Sequence, residues 1–126
     1  MNISARKTVQ KKLIREALEF LHHPDAEQVY DYVRRHCDTI SKATVYRNLN
    51  QMADDGEIAR VYVLGKTQHY DWNTKKHYHF RCESCGRLYD SEAFYDQNLN
   101  MTVKFPEGFL VASHDIIFSG LCPECR

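Results

Sequence analysis

The stretch His77-Tyr78-His79-Phe80-Arg81-Cys82-Glu83-Ser84-Cys85-Gly86 decides how this chain is read. It sets two histidines two residues apart and then a C-x-x-C pair. A second C-x-x-C, Cys122 and Cys125, follows after 36 intervening residues. C-x-x-C spacing lets two thiolates reach one ion from a tight turn, and Gly86 supplies the backbone freedom such a turn needs. Two pairs make a closed four-sulfur shell, the pattern of structural zinc. A dithiol redox pair is the rival, but it needs only one C-x-x-C and usually sits at a helix start. Cys82, Cys85, Cys122 and Cys125 are therefore expected to hold Zn2+. Such an ion typically contributes roughly 10–16 kcal/mol in small peptides. Cys37 stands outside the set and reads as a buried or bystander thiol.

In a strand, residues i and i+2 share a face, so His77 and His79 project together. A lone H-x-H is a weak signal, and its neighbours strengthen it. Asp71 ends a predicted strand, His23 ends a predicted helix, and Asp90 falls on the opposite strand of the predicted hairpin. Imidazoles and carboxylates without thiolate suit Fe2+ or Mn2+ better than a closed zinc site. The plainer alternative is that both aspartates are solvated and His23 merely ends its helix. His69 is a further or alternative ligand, His114 a structural or supporting residue, and His22 and His36 surface residues.

Upstream, Val9, Leu13, Ile14, Ala17, Leu18 and Leu21 repeat at helical spacing and predict a helix over residues 5–21. Lys7, Lys11, Lys12 and Arg15 lie on its other face, as a solvated surface or as phosphate contacts. Asp25 and Gln28 form a capping-box pattern for a second helix, with Ala26, Val29 and Val33 inward. Ser41 is a good N-cap for a third helix, which Gly56 closes. Val45, Leu49, Met52 and Ala53 form its apolar stripe. Thr44, Arg47, Asn48 and Gln51 form a polar one, with Lys42 and Tyr46 near the N-terminal end. Residues 58–64 and 67–72 read as strands around a Gly65-Lys66 turn. Three helices and a hairpin predict a winged helix-turn-helix whose third helix enters the major groove. Beyond a polar linker at 74–76, residues 77–82 and 87–92 read as strands, 93–104 as a short helix and 109–118 as a strand.

At 126 residues the chain makes one ordinary domain or two very small ones, and a small one needs a staple. No apolar run approaches a membrane span and no signal-peptide pattern opens the chain, so a cytoplasmic location is expected. Thiols stay reduced there. Net charge is zero, and residues 1–73 carry eleven Lys/Arg against ten Asp/Glu. Charge therefore supports nucleic-acid binding weakly, and placement along the helices carries that argument.

The joint pattern resembles the Fur family of metal-dependent bacterial repressors. The resemblance covers nearly the whole chain, through S-K-A-T-V-Y-R-N-L (41–49), H-Y-H-F-R-C-E-S-C-G (77–86) and C-P-E-C (122–125). It implies an α+β protein with a winged helix-turn-helix DNA-binding domain over 1–73 and a small α/β dimerisation domain over 77–126. It also implies a four-cysteine structural zinc in the second domain and a regulatory metal between the domains. Within the family, His23, Asp71, His77, His79 and Asp90 match the ligands of the peroxide-sensing, PerR-like branch. Ferric-uptake regulators usually carry glutamates where Asp71 and Asp90 stand. By resemblance, peroxide would oxidise His23 or His77 when Fe2+ is bound. The implied partners are a double-stranded DNA operator and a second copy of the chain, with Lys42, Thr44, Tyr46, Arg47, Asn48 and Gln51 at the DNA and no membrane. Family members usually have a further helix ahead of the segment matched by residues 6–21, which this sequence lacks, so altered DNA affinity is expected.

Two other classes compete. A metal hydrolase would need an open coordination position, a general base and a pocket. The sequence offers no clear base beyond the ligands, so the chain is not read as an enzyme. A zinc-stapled protein-interaction module would show no salt-dependent duplex binding.

Overall fold

The computed structural model describes residues 3–62 and 65–126, the side chains of residues 3–5 excepted. The chain forms two compact units, one ending at Thr74 and one running Lys75–Arg126.

The first unit holds α1 (Ile3–Leu21), α2 (Ala26–Arg34) and α3 (Lys42–Asp54), then β1 (Ala59–Val61) and β2 (His69–Asp71). The helix ends follow from local chemistry. The Asp25 carboxylate accepts from the Gln28 backbone N–H at 2.8 Å, and the Gln28 side chain accepts from Asp25 N–H at 2.9 Å. This reciprocal box satisfies two donors that a helix start leaves open. Ser41 Oγ accepts from Thr44 N–H at 3.1 Å to start α3. At its other end, Gly56 takes φ +78°. Gly56 N–H then donates to Ala53 C=O, and Glu57 N–H to Met52 C=O. That is a Schellman stop, which needs a left-handed residue where glycine stands.

Ile14, Ala17 and Leu18 of α1 meet Val29 and Val33 of α2 and Val45, Leu49 and Met52 of α3, all fully buried. Ile40, Ile58 and Tyr70 complete this core. Val9 continues the apolar spacing of α1 yet is exposed, because the core ends before it. β1 and β2 pair antiparallel, Ala59 opposite Asp71 and Val61 opposite His69. Arg60 fastens this hairpin to the end of α3, donating to Asp54 at 2.8 Å and to the Asn50 carbonyl at 3.2 Å. Three helices and this wing make a winged helix-turn-helix. Both strands are shorter than the sequence suggests. Val63 and Leu64, the last two residues of the first expected strand, lie outside the described residues.

The second unit is a three-stranded sheet in the order β4-β3-β5, with one short helix. β3 (His79–Cys82) pairs antiparallel with β4 (Leu88–Asp90), placing His79 opposite Asp90. It pairs parallel with β5 (Ile117–Gly120), placing Cys82 opposite Gly120. Two expectations fail here. The predicted helix over 93–104 shrinks to α4, Leu99–Thr102. Side chains compete for the backbone before it: Ser91 Oγ accepts from Ala93 N–H, and the Asp96 carboxylate from Asn98 N–H. The predicted strand over 109–118 forms only as β5, displaced toward the C-terminus, because only residues from Ile117 onward find β3 as a partner.

Leu49→Ala should lower stability by about 2–5 kcal/mol, since it opens a cavity in a close-packed core. Chemical unfolding of the two proteins side by side measures it.

Candidate metal centres

The β3–β4 turn and the residues after β5 bring four cysteines together. Gly86 N–H donates to the Cys82 carbonyl at 2.9 Å to close the first knuckle. Cys125 N–H donates to the Cys122 carbonyl at 3.0 Å to close the second. Gly86 sits at φ +76°, a conformation a side chain would strain. The parallel β3–β5 pairing, continued by Glu83 N–H to the Gly120 carbonyl at 2.8 Å, sets one knuckle beside the other. All four sulfurs lie within 4.8 Å of one another, and those of Cys85 and Cys122 are 3.9 Å apart. Zinc–sulfur bonds of about 2.3 Å in a tetrahedron put sulfurs ~3.8 Å apart, so the shell fits zinc.

The electrostatics agree. Backbone N–H groups of Cys85 and then Cys122 are aimed at the Cys82 sulfur and bring its thiol down to about 6. The Tyr89 hydroxyl beside Cys122 lowers that thiol too. Cys125 is pushed up to about 12: the Ser84 hydroxyl pulls it down, but the crowding sulfurs of Cys122 and Cys82 outweigh it. Thiolates this close repel one another, and a shared cation relieves them.

The first unit carries an imidazole–carboxylate pair. α1 ends on His22 and His23, both at φ +54°. The turn aims the His23 ring at Asp71, with Nε2 at 3.2 Å from Oδ2 and both residues buried. His69 braces this turn. Its Nδ1–H donates to the His23 carbonyl at 2.6 Å, and Tyr70 N–H donates to the Pro24 carbonyl at 2.9 Å. Asp71 Oδ1 accepts from Asn73 N–H at 2.9 Å, which orients the carboxylate.

The second unit carries two imidazoles and a carboxylate. The rings of His77 and His79 stand 4.3 Å apart. Their Nε2 atoms lie 2.9 Å and 3.7 Å from one oxygen of Asp90. His77 Nδ1–H donates to the Lys75 carbonyl at 2.6 Å. With Nδ1 engaged by that carbonyl, Nε2 is the ring nitrogen that faces the carboxylate. A cation between them fits that arrangement, with the carbonyl fixing the tautomer.

The sequence pattern of the Ferric uptake regulator family matches residues 2–119. The chain belongs to that family. It is 30% identical over 122 residues to the peroxide-responsive repressor PerR of Staphylococcus aureus, covering 96% of this chain and 82% of that one. Its fold is similar to the Campylobacter jejuni peroxide stress regulator, with a TM-score of 0.77 and 25% identity over 99% of this chain and 100% of that one. It also resembles the iron-containing ferric uptake regulator of Francisella tularensis, with a TM-score of 0.75 over 93% and 91% of the two chains. At 23% identity that likeness is one of fold. Regulators of the ferric uptake regulator family act on transcription and bind DNA as dimers. Among the described residues, no helix of this family member is long and apolar enough to cross a membrane.

On α3, Lys42, Tyr46, Arg47 and Gln51 are exposed, while Thr44 and Asn48 are half-buried. Asn48 turns toward α1 and donates to the Gln10 side chain at 3.4 Å. Arg47 donates to Thr44 Oγ1 at 3.3 Å, and Gln51 to Asp55 at 3.0 Å. Cys37 is half-buried and lies 3.7 Å from the Thr39 hydroxyl, apart from the four-cysteine shell. His114 supports the sheet. Its Nδ1–H donates to Asn100 at 2.5 Å, and Nε2 accepts from the Tyr78 hydroxyl at 2.8 Å. Sequence reasoning missed Tyr89 beside Cys122 and His69 as a brace. Tyr89 had a signal, since β4 is antiparallel to the cysteine-bearing strand; the His69 contact joins residues 46 positions apart and had none.

Cys85→Ser should take bound zinc from stoichiometric to near none, and the Lys75–Arg126 unit should lose its protection from proteolysis. Metal analysis with limited digestion checks both.

Proposed function

We propose that this chain is a metal-dependent transcriptional repressor whose signal is peroxide. The donor chemistry carries the reading. His23 and Asp71 in one unit, and His77, His79 and Asp90 in the other, are all imidazole or aspartate, a set that suits Fe(II) or Mn(II). In this proposal the five side chains take one ion and so tie the two units into the posture that binds DNA. Metal and DNA affinity are then reciprocally linked, typically by about 1–3 kcal/mol. The peroxide-responsive relatives and the two aspartates support a peroxide signal over an iron-uptake role. Bound Fe(II) supplies redox chemistry toward peroxide, with ligand imidazoles His23 and His77 as the groups oxidised, whereas Mn(II) supplies ligation alone. The residues at the operator are Lys42, Thr44, Tyr46, Arg47, Asn48 and Gln51. The four-cysteine zinc belongs to a reducing cytoplasm, where its thiols stay available.

A second copy of the chain completes the Lys75–Arg126 unit. Few of its apolar side chains are buried, and Phe94, Met101 and Leu110 are 94%, 85% and 94% exposed. A unit this small cannot hold itself by apolar burial alone. Pairing of two copies covers these residues and presents two α3 helices to half-sites about one DNA turn, ~34 Å, apart.

The test is anaerobic DNA binding with Fe(II) or Mn(II), before and after a peroxide pulse, with the intact mass of the protein. Both metals should promote binding. Peroxide should release only the iron form and add one oxygen atom to a histidine-containing peptide. Metal-dependent binding that ignores peroxide would make the chain an iron- or manganese-uptake regulator. His77→Ala should keep its zinc and lose metal-dependent affinity; unchanged dependence would sink the shared-ion reading. Fluorescence of Trp72, the single tryptophan and the neighbour of Asp71, should change on metal binding and gives a second readout.

In solution the zinc-loaded protein should weigh twice the 14.9 kDa of one chain. Leu110→Asp should shift it toward the monomer in light scattering.

A further inference from the structure

Glu27, in the first turn of α2, holds two residues of α3 at once. Its carboxylate takes Lys42 Nζ at 3.0 Å and the Tyr46 hydroxyl at 3.3 Å. Lys42 and Tyr46 stand four residues apart on α3, one turn apart on one face. The Lys42 ammonium also lies over the Tyr30 ring, 5.5 Å from its centroid, where a cation is attracted to the ring face. These contacts fix two long side chains that a solvated helix surface would leave mobile.

Neither helix needs them. Asp25 and Gln28 already cap α2, and Ser41 caps α3. Nor is the Glu27–Lys42 pair a strong source of stability, because its side chains are 54% and 50% exposed and water screens them. A lysine at the first position of a helix is electrostatically misplaced, since that end is already positive. Its placement makes sense if an anion visits it. Glu27 occupies the place such an anion would take.

We propose that Glu27 is a specificity latch for DNA. It keeps Lys42 and Tyr46 in one posture at the start of α3, and it withholds the Lys42 charge from duplexes whose phosphates do not fit that posture. The latch rests on the reading of α3 as the DNA-facing helix. On a fitting duplex, a phosphate placed by the other contacts displaces the carboxylate from Lys42. On a random duplex, passing phosphates meet a lysine that is already neutralised. Without the carboxylate, Lys42 becomes an ordinary mobile cation that gathers about one more phosphate on any sequence. Tyr46 loses its fixed orientation at the same time.

The experiment compares the full-length wild type, Glu27→Gln and Asp31→Asn, all zinc-loaded and with Mn(II). Asp31→Asn makes the same charge change on the same helix. Each is titrated, across a salt series, with a duplex that the wild type selects from a random pool and with a random-sequence duplex. Glu27→Gln should bind the random duplex several-fold more tightly. Its plot of log affinity against log salt should steepen by about 0.9, the increment for one phosphate. Its preference for the selected duplex should fall several-fold, while Asp31→Asn keeps the wild-type preference. Glu27→Gln matching either the wild type or Asp31→Asn in slope and preference overturns the latch. Failure of the wild type to select or bind any duplex overturns the DNA-binding reading, and the latch with it. Thermal melting of all three proteins separates these outcomes from unfolding.

Discussion

The Lys75–Arg126 unit depends on a constraint that apolar burial does not supply. Its strands are three or four residues long, and its buried apolar side chains are few. Four sulfurs within 4.8 Å of one another stand where a larger domain would have a core. The β3–β5 pairing, the Glu83–Gly120 contact and the position of β4 all converge on that sulfur cluster. Because β3 also bears His79 and pairs it with Asp90, the order of the cysteine shell is inherited by the histidines. One ion's geometry thus underlies the site proposed for another.

A different device serves the first unit. His22 and His23 both take left-handed backbone angles, at a cost of roughly 1–2 kcal/mol each. The surrounding contacts over-determine the turn: Pro24 accepts from Tyr70 N–H, His69 donates to the His23 carbonyl, and Asp25 bridges to His69. The core of three helices supplies the stability that offsets the strain. The result is a buried imidazole held against a buried carboxylate, each fixed by its own backbone neighbours.

What the sequence disclosed and what it hid divide along physical lines. Features set by a few neighbouring residues were legible, such as the Asp25–Gln28 box, the Ser41 cap, the Gly56 stop and the two C-x-x-C knuckles. Features set by partners distant in the chain were not. The 93–104 stretch offers apolar residues for a short helix, yet Ser91 and Asp96 divert its backbone. The apolar run at 109–118 reads as a strand, yet only its end meets β3. Asn48 shares a polar stripe with Arg47 and Gln51, and its further bond to Gln10 of α1 joins residues too far apart in the chain to be read. Glu27 gave no signal in the sequence, because nothing local ties it to a lysine fifteen residues on.

The parallel pairing of β3 with β5 also fixes an order of events at the ribosome. The first unit is built from residues made early, so it can fold while synthesis continues. The β3–β4 hairpin emerges next with Cys82 and Cys85 alone. Those two thiols must wait for 36 further residues before Cys122 and the rest of the shell arrive. During that interval the nascent chain offers a half-built soft-ligand site, open to oxidants and to any thiophilic metal nearby. The quality of the finished protein is therefore set partly by the redox state and zinc supply of the cell during those few seconds of elongation.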